Sequence, residues 1–183
     1  MIDNKFIYTA RKYFMYFMMY AIVGWLYEVF LEVVIYKWGF SNRGILFGPY
    51  LPIYGFGALV FILLFYKLSR KKQPLAKKIA VVFVVFLGCA VAATIMELVT
   101  SYVLELITGS WPWQTYTDYE YNFQGRIALS PSIRFGLGGV FFIYVLQPIF
   151  VKIVDNLSKK TLVTISTVLF IIVFIDFLTR ITL

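Results

Sequence analysis

The sequence predicts an all-α integral membrane protein with five transmembrane helices, and three observations carry that expectation. Of 183 residues, 61% are hydrophobic and only 14% are charged, too few polar side chains to cover a water-soluble surface. Several apolar runs approach or exceed the roughly 20 residues that a helix needs to cross a bilayer core of about 30 Å. Only short polar breaks separate these runs, so most of the chain is used up in spanning.

The first span is expected at Tyr13–Tyr36, a long run that carries Glu28 and Glu32 and lacks the small-residue cleavage pattern of a removable signal peptide. The second is expected at Tyr50–Tyr66, just after Gly48-Pro49 and across Pro52. The third, Ile79–Ile107, holds the only cysteine, Cys89, which reads as a small apolar packing residue. The fourth and fifth follow at Ile133–Phe150 and Leu162–Leu178, and the one long connection runs over 108–132. Together they make a single transmembrane domain over 1–183.

Charge sets the expected orientation. Lys5, Arg11 and Lys12 precede the first span, Lys67, Arg70, Lys71, Lys72, Lys77 and Lys78 crowd the second connection, and Lys152, Lys159 and Lys160 mark the fourth. By the positive-inside rule these twelve cations face the cytoplasm, against five elsewhere at Lys37, Arg43, Arg126, Arg134 and Arg180. The N-terminus is then cytoplasmic and the C-terminus outside. Trp38, Trp111, Trp113, Tyr116, Tyr119 and Tyr121 gather on the predicted outer side, where amphipathic rings anchor at headgroup level or line a ligand site.

Several chemistries are excluded. The sequence has no histidine, which removes Ser-His-Asp and Cys-His catalysis and every His-ligated metal site. A single cysteine cannot form a disulfide within the chain, and no Gly-x-x-x-x-Gly-Lys-Ser/Thr loop for ATP hydrolysis occurs. No cofactor or metal is expected, and enzymatic activity is the lesser expectation. The net charge of +8 lies in brief clusters between apolar runs, which argues for topology signals and against nucleic acid.

The order of parts repeats once. Gly24-Trp25-Leu26-Tyr27-Glu28 leads through Arg43-Gly44-Ile45-Leu46-Phe47-Gly48-Pro49 to Tyr54-Gly55-Phe56-Gly57. Thr94-Ile95-Met96-Glu97 leads through Gly125-Arg126-Ile127-Ala128-Leu129-Ser130-Pro131 to Phe135-Gly136-Leu137-Gly138-Gly139. Two parallel helical hairpins, about 13–66 and 79–150, followed by an added helix at about 162–178, are therefore expected, related by an axis along the membrane normal. The glycines suit close helix approach or local unwinding.

Intramembrane carboxylates are functional candidates by default, because each costs a few kcal/mol unless paired or hydrated. Glu28 and Glu32 are four apart, as are Glu97, Ser101 and Glu105, so each set shares a helix face. Counted at about 1.5 Å per residue, Glu28 and Glu97 reach similar depth in the outer half, and Glu32 and Glu105 approach the outer interface and hydrated headgroups. Arg43, Arg126 and Arg134 are the expected partners of the deeper pair, with Asn42 and Gln124 as neighbouring secondary candidates alongside Glu32 and Glu105. The prolines beside these arginines suggest re-entrant backbone around an outward cavity. Such a set suits an anionic ligand, since guanidinium forks match carboxylate or phosphate, and equally an Arg–Glu network that locks the hairpins. Asp176 and Arg180, four apart, are expected to pair with each other.

The string Asn42-Arg43-Gly44-Ile45-Leu46-Phe47-Gly48-Pro49-Tyr50-Leu51-Pro52-Ile53-Tyr54-Gly55, preceded by Gly24-Trp25-Leu26-Tyr27-Glu28, resembles the bacterial family labelled "Putative ABC-transporter type IV". Asn122-Phe123-Gln124-Gly125-Arg126-Ile127, followed by Ser132-Ile133-Arg134-Phe135-Gly136, is similar to it as well. The resemblance implies a permease-like component of the bacterial cytoplasmic membrane and brings no catalytic residues. A separate ATPase would need a docking surface, and the short lysine-rich connections are equally suited to anionic headgroups.

Three classes of function follow. The leading one is a small transporter or transporter subunit, working as a homodimer or with a partner membrane subunit, in which Glu28 and Glu97 serve a proton or cation and the arginines orient a solute. A membrane enzyme or lipid-handling protein would instead hold a lipid phosphate on Arg43, Arg126 and Arg134, with Glu28 or Glu97 as general acid or base. A structural or regulatory subunit would use the same charges only to hold its hairpins.

Overall fold

The computed structural model describes residues 5–182. Five helices are long and apolar enough to cross a membrane: α1 Lys5–Ile35, α2 Pro52–Ser69, α3 Leu75–Thr108, α4 Leu129–Asp155 and α5 Lys159–Thr182. All five expected spans are present; the third, fourth and fifth overrun at both ends the apolar run that marked them, and the first overruns it at the N-terminal end only. Hydropathy marks only the stretch that needs lipid, whereas a helix continues through flanking lysines whose stems lie along apolar surface. The second starts two residues late, at Pro52, since the ring fixes φ and lacks an N–H to lose at a first helical position. The residual strand content is a two-stranded antiparallel ribbon, β1 Asn122–Phe123 with β2 Ile127–Ala128.

Three of the helices contain a π turn, at Leu31–Ile35 in α1, Ile62–Tyr66 in α2 and Phe142–Leu146 in α4. The chain forms two compact units, and the division falls inside α2 and α4. One unit holds the described residues up to Leu59 and from Pro148 onward; the other is 60–147.

In the first unit, Phe17, Met18 and Ala21 of α1 pack with Leu46 and Tyr50 of the following connection, and Phe14, Leu59, Leu169 and Val173 close around them. That connection does not stay at the end of α1. The Leu51 N–H donates to the Ala21 carbonyl at 2.9 Å, fourteen residues short of Ile35, so the 36–51 segment runs back along α1 by about 20 Å at 1.5 Å per residue. Non-helical backbone at that depth is tolerable only when covered by protein, and Leu46, Tyr50 and Leu51 are all buried. At the other end of α1, Lys12 pairs with Asp155 at 2.6 Å and Arg11 donates to Ser166 and Thr167 of α5.

The second unit is built on α3 and α4. Phe83, Leu87, Val91, Ile95, Val99 and Val103 repeat every four residues on the exposed side of α3, a stripe suited to lipid. Val85, Cys89 and Ser101 repeat on the buried side, and Glu97 occupies the same stripe. A methyl on Gly136 would meet the Phe86 ring and its carbonyl oxygen at 2.7–2.9 Å, which is why glycine stands where α4 crosses α3. In the first unit Gly55 lies equally close to the ring and carbonyl of Phe17. The Thr94 and Ser132 hydroxyls join α3 to α4 at 2.7 Å, with Thr94 fourteen residues before the end of α3 at Thr108.

Candidate functional site

Each unit carries its own constellation of carboxylate, arginine and tyrosine. In the first, Glu28 accepts a hydrogen bond from the Tyr54 hydroxyl. Gly24 makes this possible, because any side chain there would overlap the Tyr54 ring where it lies along α1. One turn later, Glu32 is buried, 6% exposed, where a hydrated carboxylate was expected. Its Oε1 accepts the Ser41 hydroxyl at 2.7 Å and the Arg43 guanidinium at 3.1 Å, while Oε2 accepts the Ser41 N–H at 3.3 Å. The returning 36–51 segment brings these partners in, and burial of the charge is tolerable because all of them are donors. Arg43 retains a buried Nε with no hydrogen-bond partner.

Asn42 braces the same segment. Its Oδ1 accepts the Trp25 indole N–H at 2.7 Å and its Nδ2 donates to the Phe47 carbonyl at 2.8 Å. Asp176 of α5 holds the segment's far end, accepting the N–H groups of Phe47 and Gly48 and the Tyr50 hydroxyl. The expected Asp176–Arg180 pair does not form; Arg180 lies over the Phe47 ring at 5.3 Å. Both side chains turn to the loop because its unsatisfied N–H groups need an acceptor more than an exposed arginine does.

In the second unit, the Tyr116 hydroxyl donates to Glu97 Oε1 at 2.8 Å, and Glu97 Oε2 is buried with no hydrogen-bond partner. Burial and the adjacent Glu97 carboxylate push the Tyr116 hydroxyl well above the ordinary tyrosine range, so it remains a donor. Arg134 donates to the Tyr119 hydroxyl at 2.8 Å and to Ser130 at 3.3 Å and remains exposed. Arg126 is buried, 7% exposed, and pairs with Glu105 at 2.5 Å. Its guanidinium carbon lies 4.0 Å from the Trp111 ring centroid and 4.2 Å from that of Tyr102, a cation held between two aromatic faces. The Trp111 and Trp113 indoles donate to the carbonyls of Gly125 and Arg126, so they fasten the loop that carries the arginine. Gln124, at a positive φ of 55°, accepts the Tyr102 hydroxyl at 2.5 Å.

The expected arginine partners are therefore exchanged. Arg43 meets Glu32 and Arg126 meets Glu105, whereas Glu28 and Glu97 each receive a tyrosine hydroxyl. Sequence reasoning passed over Tyr54, placed Tyr116 only among the outer aromatic rings, and gave Asp176 to Arg180. Asp176 carried a signal, being the sole carboxylate in the apolar stretch of α5. The tyrosines carried none, since aromatic residues are abundant throughout.

A family model described as "Putative ABC-transporter type IV" matches residues 15–181, which include both constellations and all five spans except the start of the first and the last residue of the fifth. The chain belongs to that family. No curated protein and no solved structure gives a significant match. Family membership and five spanning helices make this a multi-pass membrane protein of ABC-transporter type.

Proposed function

We propose that this family member is a small transporter, or a permease-like transporter subunit, in which Glu28 and Glu97 take up a proton or cation on the outer side. The observation that carries this reading is the Glu97 carboxylate, which has one oxygen held by Tyr116 and the other buried with an open acceptor position. Arg43, with its partly exposed head and unpartnered Nε, and exposed Arg134 admit or orient an anionic solute. Arg126 has another role, since Glu105, Ser101 and two aromatic rings already occupy it. The N-terminus is cytoplasmic and the C-terminus outside on this reading, and a separate ATPase or a partner membrane subunit supplies the energy the chain has no motif to harvest.

The two hairpins are parallel repeats on the same reading. Phe17 precedes Glu28 by eleven residues, as Phe86 precedes Glu97, and each phenylalanine receives a glycine of the next helix, Gly55 or Gly136. Each glycine is followed seven residues on by a buried isoleucine, Ile62 or Ile143, at a π turn. These coincidences of spacing, contact and helix type support duplication more than resemblance of apolar composition does.

The full chain in liposomes loaded with a pH-sensitive dye tests the proton part. An imposed acid step with a compensating potassium current should acidify the interior, and Glu97→Gln should abolish this at unchanged melting temperature. No flux from the parent chain, or equal flux from Glu97→Gln, would remove the reading. A structural or regulatory subunit is the second reading, favoured by the completeness of the Arg126 lock, and under it Glu97→Gln lowers abundance and moves no ion.

A further inference from the structure

A cavity of about 290 Å³ lies in the second unit, away from both constellations, where α2 passes into α3. Ser69, Lys71, Gln73, Lys78 and Tyr144 supply its polar lining, and Ile79, Val81 and Val82 its apolar wall. We propose that this cavity binds the phosphate headgroup of an anionic phospholipid, with Lys71 and Lys78 as the charged contacts and the lipid chain lying along α3.

Charge is the first support. No carboxylate occurs anywhere between Glu32 and Glu97, yet six lysines and arginines fall within 67–78. Neither Lys71 nor Lys78 has a carboxylate partner among the described residues, so their charge is available to an outside anion. Helix α3 begins at Leu75 with no side-chain cap and no acidic residue in its first turn, and Lys78 stands three residues in. The uncapped N–H groups therefore add to the positive potential at this point. Donor chemistry is the second support. Gln73 and Tyr144 offer neutral hydrogen bonds beside the two ammonium groups, the mixture that a phosphate diester and its glycerol oxygens need.

The apolar wall decides between a lipid and a free anion. Ile79 lines the cavity and is also exposed, and the exposed stripe of Phe83 and Leu87 continues from it along α3. A headgroup seated on Lys71 and Lys78 would have its acyl chains led directly onto that stripe. Free phosphate gains nothing from it. Two lysines at a membrane surface contribute enough for about a 30-fold preference over a lipid without net charge.

The test uses the full chain purified in a neutral detergent and titrated with dioleoylphosphatidylglycerol or dioleoylphosphatidylcholine, with bound lipid counted by native mass spectrometry. The anionic dioleoylphosphatidylglycerol should be retained about 30-fold more tightly. Lys71→Gln with Lys78→Gln should erase the difference, while Lys72→Gln with Lys77→Gln, which removes the same charge beside the cavity, should keep most of it. Equal retention of both lipids, or equal loss in both double variants, would overturn the site. Displacement of the bound lipid by millimolar inorganic phosphate would overturn the lipid assignment and make the cavity a soluble-anion site.

Discussion

The Asp176 carboxylate accepts the Gly48 N–H at 2.8 Å, which ties the middle of the fifth span's C-terminal half to a backbone segment that has no helix of its own. The same carboxylate takes the Phe47 N–H at 2.9 Å and the Tyr50 hydroxyl, so three donors of one loop share one acceptor. Charge-assisted hydrogen bonds to a carboxylate are worth about 1.5–3 kcal/mol each before the cost of orphaning their partners. Asp176→Ala should therefore lower the melting temperature of the detergent-solubilised chain and expose the 36–51 segment to protease, with a loss of about 3 kcal/mol. Arg180→Gln should cost under about 1 kcal/mol, because only an exposed cation–π contact goes. Equal effects of the two substitutions would mean that the residues act as a pair after all.

Glycine positions give a second prediction. Alanine at Gly24 would overlap the base of the Tyr54 ring, and alanine at Gly55 or Gly136 would press on a phenylalanine ring and a backbone carbonyl. Overpacking of this kind costs about 1–3 kcal/mol. Gly57 and Gly138 have nothing within 4 Å of an added methyl, so alanine there should be neutral or stabilising by up to about 1 kcal/mol through helix propensity. Thermal melts of the five single variants sort the two groups, and destabilisation by Gly57→Ala would show that this face is packed.

Much of this architecture was legible in the chain and some of it was not, for physical reasons. The five spans follow from apolar runs because lipid imposes length and composition on any helix that crosses it. The shared face of Glu97 and Ser101 follows from their four-residue spacing. Pairing was a different matter. Arg43 and Arg126 are expected beside the deeper carboxylates because they fall in the segments that close each hairpin, but each arginine sits on a loop whose path decides its reach. The 36–51 segment returns along α1 and delivers Arg43 to Glu32 together with Ser41. Loop geometry of that kind depends on contacts distant in sequence, such as Asp176 with Gly48, and no local pattern encodes it.

The Arg126 lock predicts an intolerance that charge alone would not. A lysine keeps the ion pair with Glu105 but loses the planar face between Trp111 and Tyr102. Arg126→Lys should cost about 2 kcal/mol, close to a desolvated cation–π contact, and Trp111→Leu should cost a similar amount. In a double variant the two losses should fall short of their sum, since they remove one shared interaction. Additive losses in melts of the three variants would show that Arg126 and Trp111 stabilise the loop independently.

Alkaline pH gives the last prediction. Tyr116 is held neutral in the fold by burial and by the Glu97 carboxylate, so its hydroxyl keeps its proton above the unfolded value of about 10. A raised acid stabilises the fold fully below the unfolded value, and this contribution is lost as pH climbs beyond it, because the unfolded chain then ionises while the folded one resists. Stability of the purified chain should accordingly be flat with respect to Tyr116 up to about pH 10 and fall above it. Tyr116→Phe removes that part of the slope, and it also leaves Glu97 Oε1 without its donor, so the variant should start lower and decline less steeply. Melting temperatures from neutral to strongly alkaline pH distinguish the two effects. Parallel curves for the parent chain and Tyr116→Phe would show that the Tyr116 hydroxyl ionises as freely in the fold as out of it, and coincident curves would show in addition that its bond to Glu97 is made and broken at no net cost.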